Sequence, residues 1–131
     1  MYLLRRNYMP PTYNLSNQEY LIMKLFWNSL SEMTLGEVSE ALHSQGFRPT
    51  TGTIKTYLTR LVKKEALTAR KEGHKLLYFP TCPEETYAQK WTQSILDENF
   101  NGSLNNFICA LTGKSKLTTD EIKFLRDLYY E

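Results

Sequence analysis

The hydrophobic period of this 131-residue chain changes from helical to alternating after Glu65-Ala66 and back again at Pro83. That switch constrains the fold more than any other feature, because a 3.6-residue stripe cannot be buried as a strand, nor a two-residue alternation as a helix. Ahead of it lie three amphipathic stretches. In Leu15-Ser16-Asn17-Gln18-Glu19-Tyr20, Ser16 caps a helix and Glu19, three residues on, completes a capping box, with Leu15 and Tyr20 at staple positions. Leu21, Ile22, Leu25, Phe26 and Leu30 follow at helical spacing, which predicts a helix over about 16–30. Thr34 and Glu37 repeat the box, Leu35, Val38, Ala41 and Leu42 carry the stripe, and Gly46 is a natural stop. Thr50 caps a third helix, with Ile54, Leu58, Leu61 and Val62 on its buried side. After the switch, Leu67–Lys71 and Lys75–Pro80 flank Gly73, which reads as a β-hairpin. Helix, helix, helix, hairpin is the order of a winged helix-turn-helix.

From Pro83 onward the period is helical again. Tyr87, Trp91, Ile95 and Leu96 mark one helix, and Leu104, Phe107, Ile108 and Leu111, ahead of Gly113, mark a second. A third capping box, Thr118 with Glu121, opens a last helix carrying Phe124, Leu125, Leu128 and Tyr129. The expected fold is therefore mainly α with a small β-hairpin wing. Residues 15–82 form a winged helix-turn-helix domain and 83–131 a C-terminal three-helix dimerisation region. Residues 1–14, with Pro10-Pro11 and no period, form a loose arm partly packed by Tyr8 or Tyr13. Three short helices bury little surface alone, so a partner copy is expected. Trp91, Ile95, Leu104, Ile108, Leu111, Leu125, Leu128 and Tyr129 are the residues expected between subunits.

A net charge of +2 hides an asymmetry: residues 1–80 hold eleven Lys/Arg and six Asp/Glu, residues 81–131 five and eight. Only the first part suits a polyanion. Opposite the apolar stripe of the third helix lie Gly52, Thr53, Thr56, Thr59, Arg60 and Lys63, with Thr51 at its start and Lys55 on the flank. Such a face fits the major groove of double-stranded DNA, where Thr reaches base edges and Arg and Lys meet phosphates. A plain solvated face is the competing reading. The hairpin tip, with Arg70, Lys71, His74 and Lys75, suits phosphate contact. It equally suits charged protection of a strand edge, and both can hold at once.

Other chemistry finds little support. No Gly-rich phosphate loop or recognisable catalytic motif occurs, so neither an enzyme nor a cofactor is expected. Cys82 and Cys109 make no disulfide framework, and with His43 and His74 show no metal-binding spacing, so no metal is expected. No apolar run reaches the ~18 residues of a membrane span. Met1-Tyr2-Leu3-Leu4-Arg5-Arg6 lacks the apolar core of a signal peptide, which places the protein in the cytoplasm.

The run Thr53-Ile54-Lys55-Thr56-Tyr57-Leu58-Thr59-Arg60-Leu61-Val62-Lys63-Lys64 resembles the recognition helix of the penicillinase-repressor family, T-[IV]-[KR]-T-x-[LI]-x-R-L-x-x-K. Glu19 and Trp27, the segment Phe100-Asn101-Gly102-Ser103-Leu104, and Leu117-Thr118-Thr119-Asp120-Glu121-Ile122 with Leu125 extend the resemblance over about residues 15–130. The resemblance implies a homodimeric winged-helix repressor on a palindromic operator, with Gly52, Thr53, Lys55 and Thr56 facing the DNA and Arg60 and the wing in support. Gly52 stands where many members carry Lys or a similar polar residue. The C-x-C pairs of the copper-responsive members are missing. The β-lactam-responsive members are cut at an Asn-Phe bond, by the route of a membrane sensor-protease, and Asn106-Phe107 falls in the corresponding helix. Against that, Asn-Phe is also an ordinary dipeptide with Phe107 in the core. Two further alternatives are a winged-helix protein-interaction module without DNA binding, and a metal-responsive repressor using Cys82, Cys109 and histidines of two subunits.

Overall fold

A computed structural model describes residues 12–113 and 117–129. The chain divides into two compact units, Met1–Trp91 and Thr92–Glu131. In order the elements are α1 (Asn17–Ser29), α2 (Leu35–Ser44), α3 (Thr51–Lys63), β1 (Leu67–Glu72), β2 (Lys75–Pro80), α4 (Glu84–Phe100), α5 (Leu104–Thr112) and α6 (Thr119–Tyr129). The fold is mainly α with one hairpin, in the winged helix-turn-helix order.

Local chemistry sets the helix starts. Ser16 Oγ accepts the Glu19 N–H at 3.2 Å while Glu19 Oε1 accepts the Ser16 N–H at 2.8 Å. Thr34 with Glu37 and Thr118 with Glu121 repeat this reciprocal pair. Each cap is worth about 1 kcal/mol. One stripe residue departs from expectation. Leu30 is the C-cap of α1, left-handed at φ +52°, with its N–H on the Phe26 carbonyl. That turn swings its side chain out of the stripe, and it is 65% exposed. Met23 and Trp27 fill the core instead, and the Trp27 indole N–H donates to the Cys82 carbonyl at 3.1 Å.

The core of the first unit joins Ile22, Met23 and Phe26 of α1, Val38 and Leu42 of α2, and Ile54, Leu58 and Leu61 of α3, all fully buried. Leu67 and Tyr78 cover it from the hairpin, which pairs antiparallel from Leu67↔Pro80 to Glu72↔Lys75 and turns through Gly73 at φ +64°. Met33 and Tyr78 exchange two main-chain hydrogen bonds at 2.9 Å, so the α1–α2 connection is pinned to β2. Of the two tyrosines expected to pack the N-terminal arm, Tyr8 lies outside the described residues. Tyr13 packs edge-on against Tyr20, Trp27, Tyr87 and Trp91, with ring centroids 5.8–6.2 Å apart. Its hydroxyl donates to Glu84 at 2.9 Å, and burial, then Glu84, pushes its pKa up to about 12.

The second unit is different in kind. None of its described residues is buried. Phe100 and Phe107 stack edge to face at 5.4 Å. Ile95, Ile108 and Leu125 are half-buried, whereas Leu104, Leu111, Ile122, Phe124 and Leu128 are exposed. The side chain of Tyr129 lies outside the description. No helix of the described residues is long and apolar enough to cross a membrane.

Candidate nucleic-acid interface

Three buried residues, Ile54, Leu58 and Leu61, fix the orientation of α3 against α1, α2 and β1. Helical geometry then dictates what faces water. Thr51, Gly52, Lys55, Thr56, Thr59, Arg60 and Lys63 are exposed and Thr53 is half-buried. No acidic residue interrupts this helix. Thr50 caps it, accepting the Thr53 N–H at 3.2 Å. Thr56 donates its hydroxyl to the Gly52 carbonyl at 3.0 Å and Thr59 to the Lys55 carbonyl at 2.9 Å. Both hydroxyl hydrogens are thus spent inside the helix, and the outward chemistry of these threonines is a methyl group and an acceptor oxygen. A Cβ added at Gly52 would meet nothing within 4 Å, so packing does not demand glycine there.

A cleft of about 410 Å³ opens between the start of α2, α3 and the wing, lined by Thr34, Leu35, Gly36, Lys55, His74, Lys75, Leu76 and Tyr78. It brings Lys55 of α3 beside His74 and Lys75 of the wing. The Thr34 N–H and hydroxyl hold the Glu37 carboxyl below its usual range, and the charge of Lys75 adds to the effect. Lys71 is exposed on β1 opposite Leu76.

Two of the basic residues between Lys55 and Lys75 are engaged elsewhere. Arg70 stands opposite Leu77, two pairs in from Glu72↔Lys75, and so lies behind the tip where the sequence reading put it. Its Nε and Nη2 meet both Glu32 oxygens at 2.5 and 2.9 Å, and its Nη1 meets Glu72 at 2.9 Å. Arg70 holds the Glu32 carboxyl low, and Glu32 in turn raises the guanidinium. Lys64 turns inward: its ammonium donates to Glu19 at 2.7 Å and to the Asn14 carbonyl at 2.9 Å. In the sequence Glu19 reads as a capping residue that also matches the family pattern, with no ion pair expected of it. With 45 positions between the partners, no local pattern signals the pair.

Among the described residues no group of three His, Cys, Asp or Glu could hold a metal ion. Asn106 is exposed in the first turn of α5, its N–H on Ser103 Oγ at 3.1 Å, and Phe107 is half-buried.

The profile of the penicillinase repressor family matches residues 15–131. The penicillinase repressor of Bacillus licheniformis is 32% identical over 117 residues, spanning 89% of this chain and 90% of that one. The methicillin resistance regulatory protein MecI of Staphylococcus aureus strain N315 is 25% identical over 89% of this chain and 94% of its own. The solution structure of the DNA-binding domain of the repressor BlaI is 35% identical, covering 60% of this chain and 94% of that one, with a TM-score of 0.49. With α3, the wing and the C-terminal helices all inside the matched span, this chain belongs to the penicillinase repressor family.

Proposed function

We propose that this protein is a transcriptional repressor that binds double-stranded operator DNA as a homodimer in the cytoplasm, through residues 15–82, and dimerises through 83–131. The observation that carries this reading is the outward face of α3: threonine, lysine and arginine without an acid, on a helix whose other side is locked in the core. Gly52, Thr53, Lys55 and Thr56 meet base edges in the major groove, where methyl groups suit thymine and acceptor oxygens suit exocyclic amines. Thr51, Thr59, Arg60 and Lys63 meet the flanking backbone, and Lys71, His74 and Lys75 of the wing meet phosphates. A two-fold dimer presents two such helices to one side of the duplex, so the operator is a palindrome.

Thr56→Ala is expected to weaken operator binding by about 1 kcal/mol, roughly fivefold, while leaving binding to unrelated duplex within about twofold. Titrating both duplexes at one salt concentration checks it. Equal losses on the two would remove Thr56 from base readout, and no operator binding by the wild type would overturn the DNA reading.

Release from the operator follows cleavage of the Asn106-Phe107 bond, by a membrane sensor-protease that responds to a β-lactam. The cut separates Leu104 from Ile108, Leu111 and α6, and neither fragment keeps the apolar surface whole. The bond sits in the first turn of a nine-residue helix, so α5 must open locally before a protease can reach it. Expressing the protein with its sensor, adding a β-lactam and weighing the fragments tests this step. Intact repressor alongside induced transcription would exclude cleavage as the trigger.

A further inference from the structure

The basic residues of the wing differ in their surroundings. His74 and Lys75 line the cleft with Lys55 of α3. Arg70 is gripped instead by Glu32 and Glu72, one cation against two carboxylates. Most exposed ion pairs contribute little, because two mobile side chains must be held in one geometry. Two features set this one apart. Both Glu32 oxygens are engaged in a side-on fork, the strong form of the contact. The residue after Glu32, Met33, is fastened to Tyr78 by two main-chain hydrogen bonds, so the backbone already presents the carboxylate to the sheet. A DNA phosphate approaching this flank meets two carboxylates beside the guanidinium, and must break the fork to reach it.

We propose that Glu32, helped by Glu72, is an attenuator of DNA binding: it holds Arg70 off the phosphate backbone and so trims one phosphate contact from each protomer. This rests on the reading that the chain binds DNA. Phosphate contacts supply essentially all of the attraction to unrelated duplex, and each adds a fixed increment to the salt dependence. A carboxylate that occupies a wing arginine therefore limits how long the repressor lingers on any duplex, whatever its sequence.

The test uses the full chain and a mixed-sequence duplex, with Kd followed from about 50 to 200 mM salt. Freeing Arg70 with Glu32→Gln and Glu72→Gln together is expected to steepen the slope of log K against log salt by about 0.9 per protomer, about 1.8 for the dimer, so that roughly twelvefold more affinity is lost across that range. Arg70→Ala alone is expected to keep the wild-type slope. Adding Arg70→Ala to the two glutamine substitutions is expected to cancel the gain, which assigns it to the arginine rather than to two lost negative charges. Circular dichroism melting of each variant confirms folding, and Glu32→Ala in place of Glu32→Gln must give the same ordering. A flatter slope in Arg70→Ala overturns the proposal, because the arginine then already meets phosphate. An unchanged slope in the double glutamine variant, or a gain that survives Arg70→Ala, overturns it too. Failure of the DNA reading itself looks different: the wild type then shows no salt-dependent binding, and Lys75→Ala changes nothing.

Discussion

Truncation after Gly102 is expected to lower operator affinity by about 10²-fold or more while leaving the first unit folded. Among the described residues, the buried hydrophobic ones lie between Leu15 and Tyr87, so the deletion removes none of them. What it removes is a set of helices none of whose described residues is buried. Leu111 is 68% exposed, Phe124 64% and Leu128 58%. Burying apolar surface is worth about 25 cal/mol per Å², so side chains of this size left in water favour a covering surface. In the proposed homodimer a second copy of the same helices supplies one, through a two-fold contact in which each patch meets its equivalent. Once two protomers are joined, binding of the second half-site becomes intramolecular, at an effective concentration of roughly millimolar. The truncated chain loses that advantage and binds each half-site alone. Sedimentation together with operator titration measures both effects. A truncated protein that still dimerises would move the subunit contact out of α5 and α6.

Lys64→Met is expected to destabilise the fold by roughly 2 kcal/mol at neutral pH. Only 2% of the Glu19 side chain is exposed, and its carboxylate is held by the Lys64 ammonium at 2.7 Å and the Ser16 N–H at 2.8 Å. Removing one partner of a fully buried pair costs ~3–5 kcal/mol, because the other charge stays behind unpaired. Lys64 is itself 32% exposed. Water partly takes its place, which lowers the expected loss. Burial pushes the Glu19 carboxyl up, but Lys64 and the Ser16 N–H outweigh it and hold the carboxyl below its ordinary 4.5. A folded pKa below the unfolded one means that this contribution is present above the unfolded value and is lost as pH falls through the folded one. In Lys64→Met burial is no longer outweighed to the same degree, the carboxyl takes up a proton more readily, and the buried charge disappears in acid. The gap between wild type and variant should therefore narrow from pH 7 to about pH 4 in urea denaturation. A gap independent of pH would assign the loss to packing of the lysine stem.

Much of the fold is legible in the sequence because it depends on residues within four positions of one another. Ser16 and Glu19, Thr34 and Glu37, and Thr118 and Glu121 each close a capping pair inside a single turn, and all three form as read. Spacing at three and four residues likewise puts Ile54, Leu58 and Leu61 on the buried side of α3, and its threonines and cations on the other. Gly73 turns the hairpin where the alternation breaks. Leu30 fails because a helix end is a dihedral event: one left-handed residue takes a side chain off the stripe that periodicity assigns to it.

The disposition of charge belongs to tertiary structure. In sequence, Lys64 and Arg70 count with Lys55, Arg60, Lys63, Lys71 and Lys75 as one basic cluster. Folding turns Lys64 onto Glu19, 45 positions away, and Arg70 onto Glu32, 38 positions away. It also carries the Tyr13 hydroxyl to Glu84 across 71 positions. Ion pairs act over a few ångströms, and their strength depends on how much water surrounds them. Only the packed chain decides which carboxylate comes that close and how dry the place is. Period and capping therefore determine which helices form and which side of each faces water. Tertiary structure alone decides which cations on the basic side remain for DNA.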